Sequence, residues 1–318
     1  MKPTTSVDDV SFHDVPQYAA ELALPASAAD EPSRFADYYE LTKPRLNMLV
    51  VVTTCVGYYI AARTANVSLF HWTIIHTLIG TTLTAASAAV LNQVVEKPFD
   101  QMMRRTRNRP IASGRLSSAE GTIFGAALGI LGIGYLALAA NPLTALLGAI
   151  TWVTYMLIYT PMKRKSPYCT LVGAITGALP PAMGVTAVTN SITPLAAGLF
   201  AILFVWQMPH FFGLALMYKD DYGTGGFKML PNCENGDRRT RVQIIAWTAA
   251  LIPISLIPTF VHISNAGALY FVGATMMGLW FLNAAIKCAN RLPGSDRKLF
   301  LTSIMYLPAL LAVLMIDQ

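Results

Sequence analysis

The sequence predicts an all-α, polytopic membrane protein, a bundle of about nine transmembrane helices. Three observations carry this. Of 318 residues, 54% are hydrophobic and only 13% charged, against roughly 25% charged in soluble domains. Apolar runs of bilayer-crossing length, about 20 residues each, recur from residue 46 to 316 with no polar domain between them. The charge that remains falls almost wholly into alternate connectors.

The chain opens on a different composition. Up to position 34 it holds Asp8, Asp9, Asp14, Glu21, Asp30 and Glu31, with Lys2 and Arg34 as the basic residues. No apolar stretch follows a basic start, as a signal peptide requires, and the segment is too acidic for a mitochondrial transit peptide. Residues 1–35 are therefore expected to form a flexible cytoplasmic tail, and residues 36–318 one membrane domain. That organisation suits a bacterial inner membrane.

Spans are expected at 46–62, 70–92, 119–140, 142–160, 169–188, 194–217, 242–262, 267–287 and 299–316. The first starts beside Pro44, and Asn141-Pro142 breaks the third from the fourth. Gly, Ala, Ser and Thr are frequent throughout, as where helices approach closely in lipid. With these spans, 22 of the 23 Lys and Arg lie in the N-terminal segment or after spans 2, 4, 6 and 8, and Arg63 alone lies on the other side. The positive-inside rule then puts the N-terminus in the cytoplasm and the C-terminus outside, which an odd number of spans satisfies. All acids but Asp317 share the basic side. No acid falls deep in a span, where a charge costs about 2.5–3.5 kcal/mol. A transporter, by contrast, commonly places ionisable groups at mid-membrane. Cys55, Cys169, Cys233 and Cys288 form no CxxC pair; Cys55 is expected in a span and the other three near the reducing cytoplasmic side, all as structural or incidental thiols rather than ligands.

The chemistry gathers in the loops after spans 2 and 6, each about 25 residues long. Connectors that long in a compact domain are commonly functional. The first contains Asn92, Glu96 and Asp100, spaced four apart, so a helix would project them from one face. Two carboxylates and an amide are hard oxygen ligands. Mg²⁺ prefers such ligands and binds through one or two carboxylates plus substrate phosphate. Arg104, Arg105, Arg107 and Arg109 follow, with planar donor forks suited to phosphate oxygens. Alone, such a spacing is more often a charged helix end. Asp220 and Asp221, in the loop after span 6, could hold a second Mg²⁺, although beside Lys219 an Asp pair is by default solvated surface. The loop after span 4 adds Tyr159, Lys163, Arg164 and Lys165, by default a contact for lipid headgroups. Together the three loops fit a diphosphate held through metal, with its charge neutralised as it leaves. A polyprenyl diphosphate meets both demands: a head for metal and arginine, a tail for an apolar channel.

The residues that carry a family resemblance are Tyr39 to Arg45, the Asn92-Glu96-Asp100 motif, Arg107 to Leu116, Tyr159 to Arg164, Gly173 to Pro181, and the block from Trp206 to Pro231. Over roughly residues 36 to 316 the chain resembles the UbiA superfamily of intramembrane prenyltransferases, most closely those members that farnesylate heme. Two features depart from the pattern. Lys97-Pro98 replaces a basic-acidic pair, and Pro98, lacking an N–H, is expected to kink or end the helix before Asp100. The second acidic motif lacks a DxxxD form.

The resemblance implies Mg²⁺-dependent transfer of farnesyl from farnesyl diphosphate to a vinyl group of heme B, with addition of water. Asn92, Glu96 and Asp100 would hold metal, and Asp220 and Asp221 a second metal or the orientation of the site. Arg104, Arg107, Lys163 and Arg164, with the Tyr159 phenol beside them, would hold diphosphate. For heme, His210, a histidine within a span beside Trp206, is a candidate iron ligand, with a hydrogen bond fixing the Pro209 kink as its plainer role; Arg109 and Arg115 could bind the propionates, with phosphate binding or loop structure equally open. His76 is expected to pack or bridge helices, and His71 and His262 to be incidental. Heme A synthase is an implied partner alongside the bilayer; nucleic acid is not. Three alternatives are another UbiA-type enzyme such as a 4-hydroxybenzoate polyprenyltransferase, a membrane transporter, and a non-catalytic assembly factor.

Overall fold

The computed structural model describes residues 33–69, 71–260 and 266–317. Most of the acidic tail and His262 lie outside the described residues. A short helix α1 (Arg34–Leu41) starts at Ser33, whose hydroxyl accepts the Ala36 N–H. Among the described residues, nine helices are long and apolar enough to cross a membrane: α2 (Pro44–Thr64), α3 (Trp72–Asp100), α4 (Ser118–Ala139), α5 (Pro142–Met162), α6 (Cys169–Thr189), α7 (Pro194–Met217), α9 (Gly236–Phe260), α10 (Ala268–Ala289) and α11 (Ser295–Ile316). The short α8 (Lys219–Thr224) follows α7.

Local chemistry starts these helices where they start. Pro44, Pro142 and Pro194 stand at helix N-termini, where proline's fixed φ helps and its missing N–H costs nothing. Ser117 and Glu120 make a reciprocal capping box on α4. His71 caps α3, its Nδ1 accepting the Thr73 N–H, so it is a cap rather than an incidental residue. At the far end Asp317 accepts the N–H groups of Gly267 and Tyr270 at 2.7 and 2.8 Å. Asp317 thus serves the positive N-terminus of α10.

The helices α6 and α7 are the most buried and form the centre. α2 packs on α6, α3 on α4, and α9, α10 and α11 form a group against α7. The approach of α2 to α6 is close enough that a Cβ on Gly184 would lie 2.0 Å from the Thr54 carbonyl oxygen. Polar side chains bridge helices where the apolar effect cannot discriminate protein from lipid. His76 meets the Tyr135 hydroxyl at 2.7 Å, and Trp152 donates to the Ser87 hydroxyl at 2.9 Å. Ser255 and Tyr306 pair at 2.8 Å. All four cysteines are free thiols.

Two helices outrun their apolar segments at the charged end. α3 continues eight residues past the expected end at 92, and α9 begins at Gly236 rather than 242. The expected break before Asp100 does not occur: α3 passes through Pro98 and ends at Asp100. Proline deletes one backbone bond, yet the helix runs on through the exposed Pro98 to the buried Asp100.

Candidate active site

The last turns of α3 carry Asn92, Glu96 and Asp100 on one face, at 1%, 5% and 1% exposure. Burying acids this deeply demands partners, and neighbouring connectors supply a cation to each carboxylate. Lys163 Nζ donates to Glu96 Oε1 at 2.8 Å. Arg109 Nη1 donates to Asp100 Oδ2 at 2.7 Å. Lys43 Nζ donates to Asn92 Oδ1 at 3.2 Å, and the Asn92 amide donates to the Thr160 hydroxyl at 3.3 Å.

Lys43 is positioned by unusual backbone. It precedes α2 in the left-handed region, φ 49°, where a non-glycine residue is strained. Burial, and then the charge of Arg109, push its ammonium pKa down to about 7. Lys163 behaves oppositely. Burial opposes its charge, but Glu96, followed by Tyr159 and Tyr155, holds it well above the usual lysine range. Its ammonium also lies over the Tyr159 ring at 4.6 Å, a favourable cation–π contact.

The α5 helix widens to bring these groups in. Thr154–Tyr159 is a π-helix, a geometry that recurs at functional sites, and the Thr160 hydroxyl donates to the Tyr155 carbonyl at 2.8 Å. Gly173 makes room for the Tyr159 ring, which a Cβ there would meet at 2.8 Å.

The loop after α7 closes over the same region. The Lys228 N–H donates to the Lys163 carbonyl at 2.9 Å, and Phe227 packs edge-on to Phe99 and Tyr222. Asp221 Oδ1 accepts the Arg104 N–H at 3.1 Å, and its Oδ2 lies 3.8 Å from Arg105. The two acidic segments are therefore tied together through residues 100–105. Asp220 does not join them: it is exposed on α8. The side chains of Arg104 and Arg107 are also exposed, as is Arg164, which stacks over Phe99 at 4.1 Å. Arg115 is structural. It binds Asp37 at 2.7 Å and Glu40 at 3.0 Å, fastening α1 to the loop.

His210 lies elsewhere in the bundle. Its ring stacks between Trp206 and Phe300, with centroids 5.0 Å from each. Its Nδ1 meets the Ser303 hydroxyl at 2.8 Å. That hydroxyl already donates to the Phe300 carbonyl at 2.6 Å, so it accepts from His210. This pairing favours the tautomer with the proton on Nδ1 and the lone pair on Nε2. The hydrogen bond joins α7 to α11 instead of serving the Pro209 turn, through which α7 runs unbroken.

The acidic residues suit a hard cation. Asp100 Oδ1 and Asp221 Oδ2 are buried without a hydrogen-bond partner, which is costly for carboxylate oxygens. Among the described residues no three His, Cys, Asp or Glu are grouped to hold a metal by themselves. An ion here would complete its shell from the Asn92 amide, from water and from substrate phosphate, which is how Mg²⁺ binds.

Sequence reasoning assigned no role to Lys43, Thr160, Phe227 or Asp37. Lys43 before Pro44 carried a helix-start signal but none of burial. The others are brought in only by tertiary packing.

The profile of the UbiA prenyltransferase family matches residues 50–308. The chain belongs to the UbiA prenyltransferase family. Among curated relatives of this UbiA-family chain, the protoheme IX farnesyltransferase of Solibacter usitatus (strain Ellin6076) is 42% identical over 291 residues, covering 89% of this chain and 98% of that one. The protein of that name from Myxococcus xanthus (strain DK1622) is 41% identical over 295 residues, covering 92% and 98%. Among solved structures, one from a study of digeranylgeranylglyceryl phosphate synthase superposes with a TM-score of 0.74 at 15% identity, covering 90% of this chain and 99% of that one. The UbiA homologue of Archaeoglobus fulgidus bound to GPP and Mg²⁺ does so at 0.60 and 14%, covering 87% and 99%. These likenesses show that the helical bundle is the UbiA fold.

Proposed function

We propose that this chain transfers the farnesyl group of farnesyl diphosphate to a vinyl group of protoheme IX (heme B), with addition of water, giving heme O. The observation that carries the reading is the meeting of Glu96, Asp100 and Asp221 with Lys43, Lys163, Arg109 and Arg105 at one end of the bundle. It is supported by the names of relatives aligned over nearly their whole length.

Asn92, Glu96, Asp100 and Asp221 are the residues that would hold Mg²⁺, which when bound neutralises the departing diphosphate electrostatically. The chain's own cations do the rest. In the free protein Lys163 and Arg109 balance the acids. Once diphosphate arrives they face a second anion and can donate to its oxygens without leaving the site. As the bond between farnesyl C1 and the diphosphate oxygen breaks, negative charge grows on the leaving group beside them, where fixed donors stabilise it most.

The allylic cation then takes the π electrons of a heme vinyl group, forming a C–C bond. The positive charge this leaves on the vinyl carbon next to the porphyrin is captured by water, and one proton is released to solvent. Tyr159, Phe99 and Phe227 surround Lys163 and Arg164 with aromatic faces. Such faces exclude water and tolerate cationic charge.

His210 is proposed as a ligand to the heme iron through the free Nε2, with Ser303 fixing its tautomer. Arg109 stays with Asp100 and diphosphate in this account. The charged end faces the cytoplasm of a bacterial inner membrane, by the distribution of Lys and Arg, and a heme A synthase would take the product.

The test offers the purified protein farnesyl diphosphate and Mg²⁺ with heme B and 4-hydroxybenzoate in competition. Farnesylated, hydrated heme is the expected product. Prenylated hydroxybenzoate with unchanged heme would replace this reading with another UbiA-type reaction.

A further inference from the structure

We propose that the groove between α10 and α11 at the charged end is a binding site for an anionic phospholipid of the bilayer. The groove measures about 320 Å³ and runs between lipid-facing helices. Its inner wall is Trp280, Leu301 and Met305, all exposed apolar side chains, and its mouth is flanked by Lys287 and Lys298.

The mouth is also the start of α11. Gly294, at φ 70°, turns the chain into the helix. The Ser295 N–H reaches the Leu292 carbonyl and the Lys298 N–H the Gly294 carbonyl. Those of Asp296 and Arg297 have no acceptor a turn earlier in the helix, so the partial positive charge of a 22-residue helix is presented there.

A helix start alone would be ordinary. The second observation is Ser295, which lines the groove, is only 4% exposed, and whose hydroxyl has no hydrogen-bond partner. A hydroxyl buried this way loses hydration for nothing in return. Rotation about one side-chain bond would let it donate to a phosphate oxygen.

The nearby acid does not oppose an anion. Asp296 is paired with Arg241 at 2.8 Å, which offsets its charge. Two ammonium groups, a helix N-terminus and a spare hydroxyl complement a phosphodiester, and the apolar wall below complements an acyl chain. A free phosphate would use only the mouth. Bound lipid would brace α11 at its start, five and eight residues before Phe300 and Ser303, which hold His210. The inference rests on the membrane fold and not on the farnesyl reading, so either can fail alone.

The test uses the full chain, purified and stripped of lipid in neutral detergent. Its melting midpoint is followed against phosphatidylglycerol, phosphatidylcholine and inorganic phosphate. Phosphatidylglycerol alone should raise it. The Lys287→Gln/Lys298→Gln protein should need about 30-fold more phosphatidylglycerol for the same rise, each lysine near an anionic headgroup being worth roughly a factor of five. Ser295→Ala should melt higher than the parent without lipid and gain less from phosphatidylglycerol. An equal rise with phosphatidylcholine, or with inorganic phosphate, would overturn the proposal. So would a full phosphatidylglycerol response in either variant.

Discussion

The pair of Glu96 and Lys163 allows stability and catalysis to be separated. Glu96→Gln keeps an oxygen that can accept from Lys163 Nζ, but removes the charge 2.8 Å away. The side chains are 7% and 12% exposed, so solvent does little to compensate. Breaking a buried pair by neutralising one member costs about 3–5 kcal/mol. The retained hydrogen bond and the ring of Tyr159 at 4.6 Å offset about 1–2 kcal/mol of that. A net loss of about 1–4 kcal/mol follows, which at roughly 1.5 °C per kcal/mol for a chain of 318 residues lowers the melting midpoint by about 2–6 °C. Lys163→Gln should do the same by stranding Glu96. In Glu96→Gln/Lys163→Gln two neutral amides face each other, and most of the loss should return. Turnover should not return: each single variant and the double should lose about 100-fold or more, because both groups serve the diphosphate. Thermal unfolding in detergent and a farnesyl transfer assay on the same preparations measure both. A double variant as unstable as the sum of the singles, or one that turns over normally, would refute the reasoning.

Further outcomes follow from the same geometry. Gly184→Ala should cost about 2 kcal/mol or more, because its Cβ would overlap the Thr54 carbonyl and force α2 from α6. Gly134→Ala, whose Cβ meets nothing within 4 Å, should be neutral or slightly stabilising; equal melting of the two variants would contradict the close-packing account. Chelation of divalent metal should abolish transfer and Mg²⁺ should restore it, whereas undiminished activity in excess chelator would remove metal from the site. His210→Ala should change the visible absorption of bound heme, and Ser303→Ala should weaken heme binding roughly 10-fold to 100-fold by releasing the tautomer. An unchanged spectrum in His210→Ala would exclude iron ligation there.

The spans were legible because lipid imposes a simple rule. Twenty apolar residues, prolines at 44 and 142, and one-sided charge carry no ambiguity about period. The rule fails at helix ends, where hydropathy stops but the backbone does not. Thus α3 and α9 extend into polar sequence, and that extension keeps Asn92, Glu96 and Asp100 on one face. The acidic motif itself was readable from its spacing of four. Which cation serves which member of the motif was not, since Lys43, Lys163 and Arg109 come from three connectors and meet Asn92, Glu96 and Asp100 only through packing. The π-helix of α5 has no local signature, yet it is what turns Tyr155, Tyr159 and Thr160 toward the site. For His210, the sequence offered a ring on a span, and only the Ser303 hydroxyl points to which nitrogen is free.

The most direct measurement is the mass of heme extracted from bacterial membranes that lack their own heme-farnesylating activity, with this chain expressed and with its Glu96→Gln variant. The account expects heme B to be converted to its hydroxyethylfarnesyl derivative by the parent chain and to persist unmodified with the variant. Unmodified heme B beside a folded, membrane-inserted parent chain supplied with farnesyl diphosphate would contradict it.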